Sequence, residues 1–291
     1  MKREPLARGH KRVAIIADLH CGHRGGLTPP EFRYRESSED HIWRKFTAIQ
    51  DEAWRRYTSF VQRLNPITCL LVNGDGIDGR GERSGGVELL TGDRNEQCRI
   101  AEACIRQWEF DGKSREYDVV MAAGTPYHVG DIESWEHIIA DMLRSPQNDD
   151  DRALRVKIGD HEWVDINGFV FDMKHHCGSS SVPYGRATAM KRAETWNLVW
   201  AEAGEQPRGD FFVRSHVHFC EGAYKWIGGK KVEAITTPAL QTMGTRFGAR
   251  RCEGTVNWGL LAFDISPQGN ITTRYEWIVS LESTKAKALK V

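Results

Sequence analysis

The stretch "RVAIIADLH", Arg12 to His20, decides how this chain is read. Its apolar run is short and β-branched, the mark of a buried strand. It breaks off abruptly at Asp18-Leu19-His20. A strand that is apolar along its length and polar at its tip delivers chemistry to the edge of a sheet. The same form returns in "ITCLLVNGDGIDG" with Gly74-Asp75 and Asp78, and in "YDVVMAAGTPYH" with Thr125 and His128. It returns again in "FVFDMKHH" with His175-His176 and in "FFVRSHVH" with His216 and His218.

Helices are expected between these strands. "HIWRKFTAIQDEAWRRYTSFVQRL" carries Ile42, Phe46, Ile49, Ala53, Tyr57, Phe60 and Leu64 at helical spacing, and Asn65-Pro66 stops it. Asp93 is placed to cap a helix running to about Trp108, and "IESWEHIIADMLRS" predicts another. Beyond the acidic loop 148–151 the pattern changes. "ALRVKIG", "HEWVDING" and "FVFDMKHH" read as consecutive short strands, with Asn167-Gly168 a hairpin turn. A helix is expected from Arg186 to Ala203, closed by Gly204. The rest is strand: "DFFVRSHVH", a hairpin around Gly228-Gly229, and a pair within "WGLLAFDISPQGNITTRYEWIV". The expected class is α/β (α+β), two mixed sheets packed face to face with helices outside. No linker divides the chain, so 1–291 reads as one domain.

Bulk properties narrow the function. The chain has 291 residues, with 40 basic and 40 acidic side chains. That balance argues against wholesale electrostatic capture of nucleic acid but allows a local basic groove. No apolar run approaches the roughly 18 residues needed to span a membrane. Seven scattered cysteines, without a C-x-x-C pair, suit reduced thiols and a cytoplasmic location, not a disulfide framework. The basic start "MKREPLARGHKR" does not read as a signal peptide.

Asp and His at neighbouring strand tips are what a metal site needs, because ligands distant in sequence must converge. This mixture of oxygen and imidazole suits Mn, Fe, Zn or Ni better than Ca or Mg. D-x-H and H-x-H each place two such groups on alternate positions, so the chain must bend there to aim both inward. Each motif alone is common by chance, and Gly-Asp is also turn chemistry. All of them in order, each closing a strand, form a pattern.

D-x-H, G-D-x-x-D, a Gly-led tip ending in His, a single His and H-x-H together resemble the signature of the calcineurin-like metallophosphoesterase superfamily, from Val13 to Phe219. "ADLHCGHRGGLTPPEF" resembles a subgroup often encoded by bacteriophages, for which the location would be the host cytoplasm. The resemblance implies a four-layer αββα sandwich and two divalent ions, manganese before iron, zinc or nickel. It implies that Asp18, His20 and His218 hold one ion, that Asp75 bridges, and that His176 and His216 hold the second. His176 is preferred to His175 because Cys177-Gly178 supplies the small residues that usually follow this ligand. Ser215 stands where Gly usually precedes H-x-H, and Asp78 is expected to shape its loop without ligating. A metal-bridging hydroxide would attack phosphorus between ions about 4 Å apart, with no covalent enzyme intermediate.

"GTPYH" departs from the Gly-Asn-His of that family. Three readings follow: Thr125 replaces the Asn oxygen, His128 becomes a ligand, or the second ion lacks one ligand and His128 faces the leaving group. The third is preferred, with His128 as acid or phosphate binder. Pro126 holds Thr125 extended. Cys21, Cys177 and Cys220 lie close to ligands but read as packing residues. For substrate, Arg24, Arg33 and Arg35 with Phe32 and Tyr34 fall in an insertion or lid over 23–48. Arg246, Arg250 and Arg251 flank Phe247. Basic residues among aromatics suit nucleic acid or nucleotide. The expected function is a phosphodiesterase or nuclease. The rivals are a phosphomonoesterase and a non-catalytic binding module that keeps the fold. Residues 282–291 read as a basic tail.

Overall fold

A computed structural model describes residues 2–33, 41–130, 134–145, 152–180, 182–242 and 256–285, with the side chains of 41–45 and 83 outside the description. The first sheet is built by β1 (Lys11–Ile16), β2 (Cys69–Asn73), β3 (Val119–Ala122) and β4 (Val156–Gly159), all parallel, with β10 (Trp258–Ile265) and β11 (Ile271–Val279) added antiparallel beyond β1. The helices α1 (His41–Leu64), α2 (Arg94–Ile105) and α4 (Trp135–Arg144) form the crossovers that parallel strands require. A four-residue helix, α3 (Pro126–Val129), follows β3. The second sheet has the order β5-β6-β7-β9-β8, from β5 (Glu162–Ile166), β6 (Phe169–Met173), β7 (Phe211–Arg214), β8 (Glu221–Ile227) and β9 (Lys230–Thr236), with α5 (Thr188–Glu202) between β6 and β7 in sequence.

The expected class is met, and the layers follow from which face each residue occupies. Odd positions of β1, Val13 and Ile15, meet Leu71, Val120, Phe171, Phe211, Val213 and Phe263 between the sheets. Even positions, Ala14 and Ile16, meet Tyr57, Leu64, Ile100, Cys104 and Leu143 under α1, α2 and α4. A strand buried on both faces is apolar throughout, as these runs are. The outer face of the second sheet packs Phe212, Val232 and Ala234 against Met190 of α5.

Local signals match in detail. Asp93 caps α2 by accepting from the Asn95 N–H. Asn167 and Gly168 take the positive φ values, 58° and 83°, that a tight hairpin demands. Other expectations shift. The helix expected from Arg186 begins at Thr188, after a 3-10 turn at Pro183–Gly185. "ALRVKIG" supplies β4 of the first sheet, parallel to β3, and does not pair with the strand that follows it. The expected free tail begins with a docked turn, because Glu52 of α1 accepts from the N–H groups of Glu282 and Ser283; residues 286–291 lie outside the description. No described helix is long and apolar enough to cross a membrane.

Candidate metal centre

Parallel β1, β2 and β3 end on one side of the first sheet, and parallel β6 and β7 bring their tips to the same place. Backbone strain then aims the side chains. Among the described residues six non-glycine positions have positive φ, and five are Asp18 (50°), His20 (44°), Asp75 (51°), His216 (74°) and His218 (55°). This is the bend that D-x-H and H-x-H require. Such strain costs about 1–3 kcal/mol per residue and persists only where the surroundings over-determine it.

Three ligand groups result, each with donor atoms within 4.8 Å of one another: Asp18, His20 and His218; His20, Asp75 and His128; and Asp75, His175 and His216. In the first group, His218 Nε2 lies 3.3 Å from Asp18 Oδ1 and 3.2 Å from His20 Nε2. Asp18 also accepts from the His216 N–H. Asp78 meets His20 Nδ1 at 2.9 Å and leaves its Nε2 toward the group. Around Asp75 Oδ2 lie His175 Nε2 at 3.0 Å, His216 Nδ1 at 3.8 Å and His20 Nε2 at 4.0 Å.

His175, not His176, enters the site, which corrects the expected choice. Strand parity is the cause. Phe169, Phe171 and Met173 of β6 face the core between the sheets, and His175 continues that face. His176 falls on the other parity and is exposed, its ring 5.2 Å from that of His216. His175 donates Nδ1–H to the Asn73 carbonyl at 2.7 Å. Its buried Nε2 has no hydrogen-bond partner, although Asp75 Oδ2 is near. The two atoms are 3.0 Å apart and form an ion pair when the ring is protonated. A buried polar atom left bare is costly, and a cation between the two would satisfy both. The donor set therefore fits divalent metal ions.

The "GTPYH" tip is tied to Asp75. The Thr125 N–H and Oγ1–H both donate to Asp75 Oδ1, at 2.7 and 3.0 Å. Thr125 thus positions the carboxylate with its Oδ2 toward the imidazoles. Pro126 opens α3, with Thr125 extended before it. His128 Nδ1 donates to the Asp78 carbonyl at 2.9 Å, leaving Nε2.

Glu136 is a residue the sequence reading missed. It is fully buried at the start of α4, and its two oxygens accept from the Gly76 N–H at 2.8 Å and the Gly124 N–H at 2.6 Å. It staples the β2 tip to the β3 tip. An acid in a first helical turn usually serves the helix dipole, so nothing local distinguishes this one. Asn73 was also missed. Its Nδ2 donates to Ser215 Oγ at 2.6 Å, and Ser215 Oγ meets Thr237 Oγ1 at 2.7 Å, which accounts for a serine before H-x-H.

Electrostatics follow burial and pairing. Burial pushes the Asp75 carboxyl up, but His175 above all outweighs it and holds it well below the usual range. Asp18 is lowered in the same way, chiefly by His218 against burial. Burial and then His128 push His20 down to about 4, so it is a neutral imidazole. Burial acts to lower His175, yet Asp75 and Asp18 raise it to about 10. Glu136 is pushed up to about 7 by burial, against the pull of its two N–H donors.

The remaining residues fall elsewhere. Arg24 holds its guanidinium 5.7 Å from the Phe46 ring centroid, Arg33 pairs with Asp51, and buried His23 lies 3.5 Å from Glu88. Thr242 bonds to the Gly25 carbonyl, and residues 41–48 belong to α1, so the described parts of the expected lid are fastened to the body. Tyr34, Arg35, Arg246, Phe247, Arg250 and Arg251 lie outside the described residues. Cys21 and Cys177 are buried and Cys220 partly so, and none joins a described ligand group.

No family model matches the sequence, and no curated protein matches it. Among solved structures the chain is similar to an archaeal phosphodiesterase, at 11% identity and a TM-score of 0.43, covering 92% of this chain and 99% of that one. It is similar to Vps29 complexed with zinc from Entamoeba histolytica, at 13% identity and 0.35, covering 91% and 98%. It is also similar to a predicted phosphoesterase from Streptococcus pneumoniae, at 10% identity and 0.31, covering 94% and 100%.

Proposed function

We propose that the chain is a metal-dependent phosphoesterase working with two divalent ions, manganese foremost, on phosphodiesters of nucleic acid or nucleotides. The observation that carries the reading is the buried His175 Nε2 3.0 Å from Asp75 Oδ2, within a convergence of two aspartates and five histidines. Asp18, His20 and His218 would hold one ion and His175 and His216 the other, with Asp75 contributing to both. Bound there, the ions would supply an activated water and neutralise charge building on the phosphate.

The chain's own groups do the rest. Thr125 fixes the Asp75 carboxylate through its N–H and its hydroxyl. Asp78 sets the tautomer of His20 through Nδ1, an outer partner of the kind that orients a ligand. It also holds His128 through its carbonyl. His128 Nε2 is then available to bind a phosphate oxygen or return a proton to the leaving oxygen. The test is Mn²⁺-dependent hydrolysis of bis(p-nitrophenyl) phosphate beside the matched monoester, with Asp75→Asn as control. Diester turnover abolished by the substitution is expected. Faster monoester turnover would make the protein a phosphomonoesterase, and no turnover of either ester by protein with two bound ions would refute the assignment.

A further inference from the structure

Beyond the metal ligands, the segment from His176 to α5 forms a rim that nothing above uses. His176 is exposed with its ring 5.2 Å from His216. Lys174 is exposed beside it, on backbone fixed by bonds from its own N–H to the Val213 carbonyl and from Asn73 to its carbonyl. Arg192 of α5 reaches back over the same loop: a Cβ on Gly178 would stand 3.5 Å from its Nη2. Neither Lys174 nor Arg192 has an ion-pair partner among the described residues. Tyr184 is 94% exposed, on the short turn Pro183–Gly185. That turn is anchored at its end, where Arg186 lies 4.4 Å over Phe219, the neighbour of His218.

The imidazole of His176 therefore borders the second ligand group at His216, with the unpaired Lys174 beside it in the chain, the unpaired Arg192 at Gly178 two residues on, and an aromatic ring held out in water on the turn that follows. A mononucleotide held at the metals would leave them unused. Phosphates flanking the scissile one would meet the cations, and a base has a face for Tyr184. We propose that Lys174, His176, Tyr184 and Arg192 form the path of a single-stranded polynucleotide leading into the metal centre. This rests on the phosphoesterase reading and narrows its substrate to a polymer.

The test is binding of a fluorescent, phosphorothioate oligo-dT of about twelve nucleotides, followed by anisotropy with Mn²⁺-loaded protein. The double variant Lys174→Ala/Arg192→Ala is expected to raise Kd at least about tenfold. It should also flatten the salt slope by about 1.4, the share of two single-strand phosphate contacts. Tyr184→Ala should weaken binding and Tyr184→Trp restore it. Wild-type protein that does not bind the oligonucleotide, or variants that bind it equally well, would overturn the inference. Hydrolysis of bis(p-nitrophenyl) phosphate is read in parallel. Turnover without oligonucleotide binding overturns the polymer path and leaves the phosphoesterase intact. Variant-sensitive binding without turnover supports the path and overturns the enzyme.

Discussion

His175 turns its ring to Asp75 while His176 turns its ring to solvent, and substitution should separate them. His175→Ala is expected to lose one ion on dialysis, by more than the tenfold to hundredfold that removing an outer partner costs. His176→Ala should keep both ions, as read by elemental analysis. The protonation of His175 gives a second check. Its pKa of about 10 in the metal-free protein means that the ring is charged at neutral pH. Ligation needs the neutral ring, so metal binding at pH 7 should release a proton and tighten as pH rises toward 10. Calorimetry in buffers of different ionisation heat measures this, and no proton release would remove His175 from the ligand set. The residue was legible in principle. Phe169, Phe171, Met173 and His175 share one parity, and that period-2 signal outranks the small residues that follow His176.

At the scale of elements, the site depends on keeping two strand tips in register, and Glu136 does this from α4. Glu136→Gln keeps the shape but offers one N–H an amide donor. Its expected effect is a tenfold to hundredfold loss of Mn²⁺ affinity. Glu136→Ala, which leaves both N–H groups bare, should lose more. Titration of Mn²⁺ together with melting of the metal-free protein distinguishes a positioning role from a structural one. A lower Tm with unchanged affinity would mean that Glu136 only supports the fold. The strands and long helices were readable because their periodicity is local: Val13 to Ala17 is apolar throughout, and α1 repeats at helical spacing. Glu136 was not readable, because its partners are backbone groups 60 and 12 residues away. The four residues of α3 are too few to show a period.

For the whole molecule, the metal centre joins both sheets, so its occupancy should register in global stability. An ion at a hundred times its Kd adds about 2.7 kcal/mol for one site. Chelation should therefore lower Tm by several degrees, and restored Mn²⁺ should recover it in a thermal melt. A melt indifferent to chelator would mean that the ligands are organised without metal. The placement of β10 beside β1 was not legible in sequence, since nothing in "WGLLAFDI" names its partner. Only the two-sheet class followed from the pattern.

Asp18 accepts from the backbone of a residue 198 positions later in the chain. At a synthesis rate of roughly 5–20 residues per second, that separation is about 10–40 seconds on the ribosome. Through that interval Asp18 and His20, and later Asp75, exist without His216 and His218, and β1 without β10. The nascent chain therefore carries half a metal site and an open strand edge, and acquires its full ligand set only once His216 and His218 have been made.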